Sequence, residues 1–389
     1  MTYNILTLNS ISEKGLNIFS NPQYQISENE KNPDAILVRS TDMLEMKIPS
    51  SLKVVGRAGV GVNNIPVKKL TQLGIPVLNA PGANANAVKE LVITGMLLAC
   101  RHICKAWDYV RSLKGNDEEL EHQVEKNKRQ FSGFELPNKT LGVIGLGHVG
   151  VQVANAAINL GMNVIGFDNM ITVQNAWKLS ANVQQAHSIA EVCAKADFIS
   201  LHIPLNDKTQ NLINTKLIRL MKTGVVILNF AREGIVNNQD LLTALSEGNV
   251  GTYVSDFPSS ILQNHPNVIT LPHLGASTKE AEENCAVMVA EQIKSFLERG
   301  EIKNSVNFPD VALPHTEGYR FAIANLNVPN IIAQVTSVFS ANNINILDMI
   351  NKSRDDVAYN IIDTDRNDNE VILHGIRAIE GVISARKIT

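Results

Sequence analysis

Three polar residues stand where an α/β sheet would present ligands. Arg232 ends the run Asn229-Phe230-Ala231-Arg232, just past an apolar stretch at 225–230. His273 lies in Pro272-His273-Leu274-Gly275-Ala276, just past a second stretch at 268–271. Arg57 opens Arg57-Ala58-Gly59-Val60-Gly61, after a third stretch at 52–56. Parallel sheets bind their ligands beyond the C-terminal ends of their strands. An arginine can fork onto a carboxylate and polarise a carbonyl. A histidine titrates near neutrality and can take or return a hydroxyl proton. Any one of these residues could be structural; together they suit redox chemistry on a small hydroxy acid, provided the chain also carries a hydride acceptor.

Residues 141–150, LGVIGLGHVG, supply the place for one. An apolar strand breaks into Gly145-x-Gly147-x-x-Gly150 and continues with a helical pattern. Gly145 permits the tight turn, Gly147 a close approach of backbone to a pyrophosphate, and Gly150 close packing of helix on strand. His148 and Val149 open that helix, whose free amides and dipole favour an anion. A second strand at 163–167 ends on Asp168, placed to accept from ribose hydroxyls and to repel a 2′-phosphate. The expected cofactor is therefore NAD rather than NADP.

The elements that must hold these residues form an α/β chain. In 389 residues, 44% are hydrophobic and 19% charged, and the net charge is −3. That is ordinary for a globular protein and gives no reason to expect nucleic-acid binding. No apolar stretch reaches membrane-spanning length, and the N-terminus lacks a signal-peptide pattern, so a cytoplasmic location is expected. The four cysteines show no disulfide or zinc spacing, and no metal site is expected. Cys100 and Cys104 would sit one turn apart on a helix at 87–114.

Short strands alternating with helices over 1–97 suggest a doubly wound domain, completed by a helix from 278 to about 299 and the residues to 305. That helix opens on the capping-box pattern Ser277-Thr278-Lys279-Glu280. Residues 98–277 form the dinucleotide domain, whose unalternated apolar strands suit a parallel sheet covered on both faces. Residues 306–316, with Pro309 and Pro314, read as a linker. Residues 317–389 give the order βαββαβ of a ferredoxin-like module.

The runs GRAGVGVNNI (56–65), GLGHVG (145–150), HIPL (202–205), NFAR (229–232) and PHLGAST (272–278) resemble the D-isomer-specific 2-hydroxy acid dehydrogenases over nearly the whole chain, and most closely the branch acting on 3-phosphoglycerate. The resemblance implies that Arg232 binds the substrate carboxylate and carbonyl and that His273 is the acid/base. It gives substrate contacts to Arg57 and the backbone of Gly59 and Val60, and the phosphate to Arg39. His202, Pro204, Ala231 and Gly275 would line the cofactor site, and Asp256 would contact the nicotinamide amide. The family glutamate that pairs with the histidine has Ser260 in its place, and a serine cannot stabilise imidazolium by charge. The C-terminal module resembles an ACT domain, with Asn325, Asn327 and Asn345 at amino-acid-binding positions, which implies L-serine as an effector. The implied activity is oxidation of D-3-phosphoglycerate by a homodimer or homotetramer. A glyoxylate, hydroxypyruvate or 2-oxoglutarate reductase, and an NAD-sensing binding protein, stay open.

Overall fold

The computed structural model describes residues 2–314, 318–366 and 369–388, and the chain divides into two compact units. Residues 1–84 and 279–389 form one, and residues 85–278 the other. Among the described residues no helix is long and apolar enough to cross a membrane.

The first unit contains a parallel sheet of β1 (Tyr3–Leu8), β2 (Tyr24–Ser27), β3 (Ala35–Val38), β4 (Val54–Arg57) and β5 (Val77–Leu78), in the order β2-β1-β3-β4-β5. β3 is buried along its length, as a strand covered on both faces must be. Leu6, Ile36, Val38 and Leu70 fill one face. Ile5, Leu37 and Val54 fill the other, against Val289 and Ile293 of the helix Lys279–Arg299. A side chain at Gly56 would lie 2.4 Å from Val289 and 2.6 Å from Ile293, so glycine there sets how closely the helix seats.

The second unit holds β6 (Thr140–Ile144), β7 (Asn163–Phe167), β8 (Gln184–Gln185), β9 (Phe198–Leu201), β10 (Val225–Asn229), β11 (Val250–Ser255) and β12 (Val268–Thr270). Its parallel order, β12-β11-β10-β9-β6-β7-β8, reverses direction between β6 and β9. Ligands collect at such switch points.

One expected helix is two. The pattern at 87–114 resolves into Ala85–Cys100 and Ile103–Ser112, broken at His102, which takes a left-handed conformation with φ of 50°. The cause is distant in sequence: the Phe134 amide takes the Cys100 carbonyl at 3.0 Å. Cys100 and Cys104 therefore lie on separate helices.

The C-terminal residues form an antiparallel sheet of β13 (Tyr319–Leu326), β14 (Ile346–Arg354), β15 (Val357–Thr364) and β16 (Val382–Ile388), ordered β14-β15-β13-β16. With the helices Ile331–Ala341 and Asn369–Arg377 this is the expected βαββαβ. Phe321, Ile323 and Ile362 pack beneath those helices on Val335, Phe339 and Ile376. The opposite face, with Ala322, Ala324, Tyr359 and Ile361, joins the core around the helix Lys279–Arg299. The module is thus not a separate body on a tether.

The segment expected as a linker is built in as well. Ser305, Asn307, Phe308 and Val311 are buried. The Asn307 side chain accepts from the Val77 amide at 2.8 Å and donates to the Ile75 carbonyl at 3.0 Å. His315, Thr316 and Glu317 lie outside the described residues.

Candidate active site

In the second unit, β6 runs into a turn at Gly145, where φ is +97°. A side chain there would strike the His202 carbonyl oxygen at 2.5 Å. Gly147 caps the helix His148–Asn159, and an added methyl at Gly147 would meet nothing within 4 Å. At Gly150 it would stand 1.9 Å from the Gly145 oxygen. The three glycines thus have different jobs: the first permits the turn, the second keeps an open approach to the helix amides, and the third lets the helix close on the turn. Just past β7, Asp168 accepts from the amides of Leu146 at 2.7 Å and Met170 at 2.8 Å, which fixes its carboxylate beside the glycine turn.

His202 follows β9. Its amide donates to the Ile144 carbonyl at 2.8 Å, and its Nε2 lies 2.8 Å from the buried Ser200 hydroxyl. Burial pushes this imidazole down to about 4, so it is neutral at physiological pH. Pro204 is exposed, and its carbonyl accepts from the Thr209 hydroxyl.

Asn229, fully buried at the end of β10, shapes the turn that carries Arg232. Its Oδ1 accepts from the Ala231 amide at 3.2 Å, and its Nδ2 donates to the Arg232 carbonyl at 2.9 Å and the Tyr253 hydroxyl at 3.2 Å. The Arg232 side chain is exposed, with Nη1 donating to the Ala231 carbonyl. Asn229 is a residue of the site that the run at 229–232 does not by itself mark. An asparagine ending an apolar strand, three residues before an arginine, is the available signal.

His273 is exposed and packs its ring against Phe257, with centroids 4.9 Å apart. Asp256 is buried, and its Oδ2 accepts from the Gly275 amide at 3.2 Å. Burial pushes the Asp256 carboxyl up, against the lowering effects of His273 and of backbone amides. Its Oδ1 has no hydrogen-bond partner among the described residues. A buried acceptor without a donor is costly, and one of this kind suits a donor supplied from outside the chain. The amide N–H of a nicotinamide is such a donor, so the residues present fit the cofactor. Ser260 is exposed and makes no hydrogen bond to His273, whereas the Asp256 carboxyl feels the His273 imidazole.

In the first unit, the Arg57 Nε donates to the Arg39 carbonyl and to the Asn64 side chain, both at 3.1 Å. A side chain at Gly59 would come within 2.6 Å of the Arg57 guanidinium. The Val60 carbonyl accepts from Asn79 at 2.6 Å. Arg39 pairs with Glu282, a residue the sequence reading did not single out.

The three asparagines assigned to an effector are not equivalent. Asn325 is buried and bonded to Asn360 and to the Leu326 carbonyl. Asn327 is exposed and donates to the Asp355 carbonyl. Asn345 is exposed, with its amide on Asp365.

The glycine cradle, the acid past β7 and the histidine past β12 define a nicotinamide-dependent dehydrogenase site. The chain belongs to the D-isomer-specific 2-hydroxy acid dehydrogenases: residues 93–275 match that family's NAD-binding domain. Similar chains bear the name D-3-phosphoglycerate dehydrogenase. That of Escherichia coli K12 is 32% identical over 378 residues, covering 93% of this chain and 88% of the relative. That of Haemophilus influenzae is 33% identical over 347 residues, covering 86% and 81%. That of Methanocaldococcus jannaschii is 42% identical over 299 residues, and this chain spans only 54% of its length. Among solved structures, NAD+-bound 3-phosphoglycerate dehydrogenase from Entamoeba histolytica matches with a TM-score of 0.61 and 27% identity, over 79% of this chain and 99% of that one.

Proposed function

We propose that this protein oxidises D-3-phosphoglycerate to 3-phosphohydroxypyruvate with NAD, the first step of the phosphorylated route to serine. The observation that carries the substrate is the gathering of Arg39 and Arg57 in the first unit, joined through the Arg39 carbonyl. Arg232 and Arg57 hold the carboxylate and Arg39 the phosphate. His273 takes the C2 hydroxyl proton. NAD, when bound, would supply the acceptor for the C2 hydride. Gly147 and the first turn of the helix His148–Asn159 hold the pyrophosphate, Asp168 the adenosine ribose, and Asp256 the carboxamide. Alcohol oxidations of this type favour the hydroxy acid at neutral pH, so turnover is read most easily as reduction.

The test is a substrate panel with NADH: 3-phosphohydroxypyruvate, hydroxypyruvate, glyoxylate and 2-oxoglutarate. The phosphorylated acid is expected to lead hydroxypyruvate by at least about tenfold in kcat/KM, the scale of one charge-assisted pair. A lead for a phosphate-free acid would make the protein a reductase of the same family. Binding of NAD with no turnover would make it a sensor. We further place it in the cytoplasm as a homodimer or homotetramer, with L-serine as an effector of the C-terminal module. Of the three asparagines, Asn327 and Asn345 are the exposed pair that could meet it.

A further inference from the structure

We propose that Glu282 is a resident competitor at the phosphate subsite, holding Arg39 so that small free anions do not occupy it. The inference rests on the phosphate role given to Arg39 above. Arg39 follows β3, and Glu282 lies in the first turn of the helix Lys279–Arg299, 243 residues away in sequence. The fold brings the Arg39 Nη2 to the Glu282 Oε1 at 2.5 Å, with both side chains 40% exposed. Glu282 is the acid paired with Arg39 among the described residues, since its neighbour Glu283 is engaged with Lys14 and Lys279. Further along the same helix, the buried Cys285 thiol feels Arg57 and Arg39 on one side of the balance and Glu282 on the other. Two guanidiniums and one carboxylate therefore crowd a single patch.

A half-exposed pair of this kind is worth about 0–1 kcal/mol, so it is displaceable. What displaces it is decided by total binding energy. A free phosphate must replace Glu282 using its own contacts alone. A substrate that also anchors its carboxylate on Arg57 brings its phosphate to Arg39 at high effective concentration. A phosphate-free acid leaves the pair intact. Glu282 thus lowers affinity for every phosphate-bearing ligand, and matters most for those that bind nowhere else.

The experiment is Glu282→Gln, which keeps the shape and removes the charge, beside Arg39→Gln. Steady-state reduction of 3-phosphohydroxypyruvate and of hydroxypyruvate is measured with and without inorganic phosphate as inhibitor. In Glu282→Gln the phosphate inhibition constant is expected to fall about fivefold, the equivalent of about 1 kcal/mol. KM for the phosphorylated substrate should fall with it, while KM for hydroxypyruvate stays within about twofold. An unchanged or weaker phosphate inhibition in Glu282→Gln, with Arg39→Gln abolishing the preference for the phosphorylated substrate, overturns the competitor role and leaves the substrate reading standing. A preference that survives Arg39→Gln overturns the phosphate role of Arg39 and the competitor with it.

Discussion

Asp256 and Ser260 share one loop and have opposite fates. The acid is buried and feels His273, and the serine is out in solvent. Burial holds the Asp256 carboxyl above its ordinary range, so the fold favours its protonated form. The stability tied to that proton is present below the unfolded carboxylate range and lost as pH rises through the raised value. Asp256→Asn is therefore expected to stabilise the cofactor-free protein at neutral pH by about 1 kcal/mol, with the difference vanishing below about pH 4. Thermal melts across pH check this. The same variant puts an amide where a nicotinamide amide needs an acceptor, so KM for NAD should rise about tenfold or more. Arg232→Lys removes the planar fork from the turn that Asn229 shapes, and kcat/KM is expected to fall about a hundredfold. The types at 232 and 273 were legible in the sequence because strand ends announce themselves. The pairing of Arg39 with Glu282 was not, because nothing local links residues so far apart.

The glycine turn shows what an element can settle by itself. Its strand, turn, helix and closing acid are contiguous in sequence, and the expected tight turn is found, with a positive φ at Gly145. The glycines should separate under substitution. Gly147→Ala meets no neighbour in the fold, so its melting temperature should match the native value while NAD binding is lost. Gly150→Ala drives a methyl into the Gly145 carbonyl and should lose both stability and binding. Equal melting temperatures for the two variants would contradict this division of labour. Where an element depends on distant partners, the sequence was a poor guide. The helix break at His102 answers to the chain near Phe134. β2 leaves no apolar run to read, because only Tyr24 of its four residues is buried.

At the scale of the whole molecule, the C-terminal module shares its core with the sheet β1–β5 and the helix Lys279–Arg299. Three of its arginines fasten the seam. Arg320 is a buried fork on Asp363, with bonds of 2.7 and 2.8 Å, and also donates to the Arg299 and Pro314 carbonyls. Arg386 donates to the Phe296 carbonyl and lies over its ring, and Arg354 donates to the Ser305 carbonyl. Arg320 and Arg386 thus meet carbonyls near the C-terminal end of the helix Lys279–Arg299, where the dipole favours cations. Arg320→Met, which removes the buried fork on Asp363, is expected to cost about 3–5 kcal/mol, and Arg320→Met with Asp363→Leu to recover most of it. The βαββαβ order was legible from period and length. Its attachment was not, because the face that joins the core reads in sequence like any half-apolar sheet face, and a proline-bearing segment reads like a tether. The native chain is expected to turn over without a glutamate at position 260. This is tested most directly by NADH oxidation with 3-phosphohydroxypyruvate, from about pH 5.5 to about pH 9, in the native protein and in Ser260→Glu. The expected result is turnover by both, with the limb of the profile that reports histidine protonation moved to higher pH in the variant. Turnover by Ser260→Glu alone would contradict the claim and leave the native chain a binder of NAD.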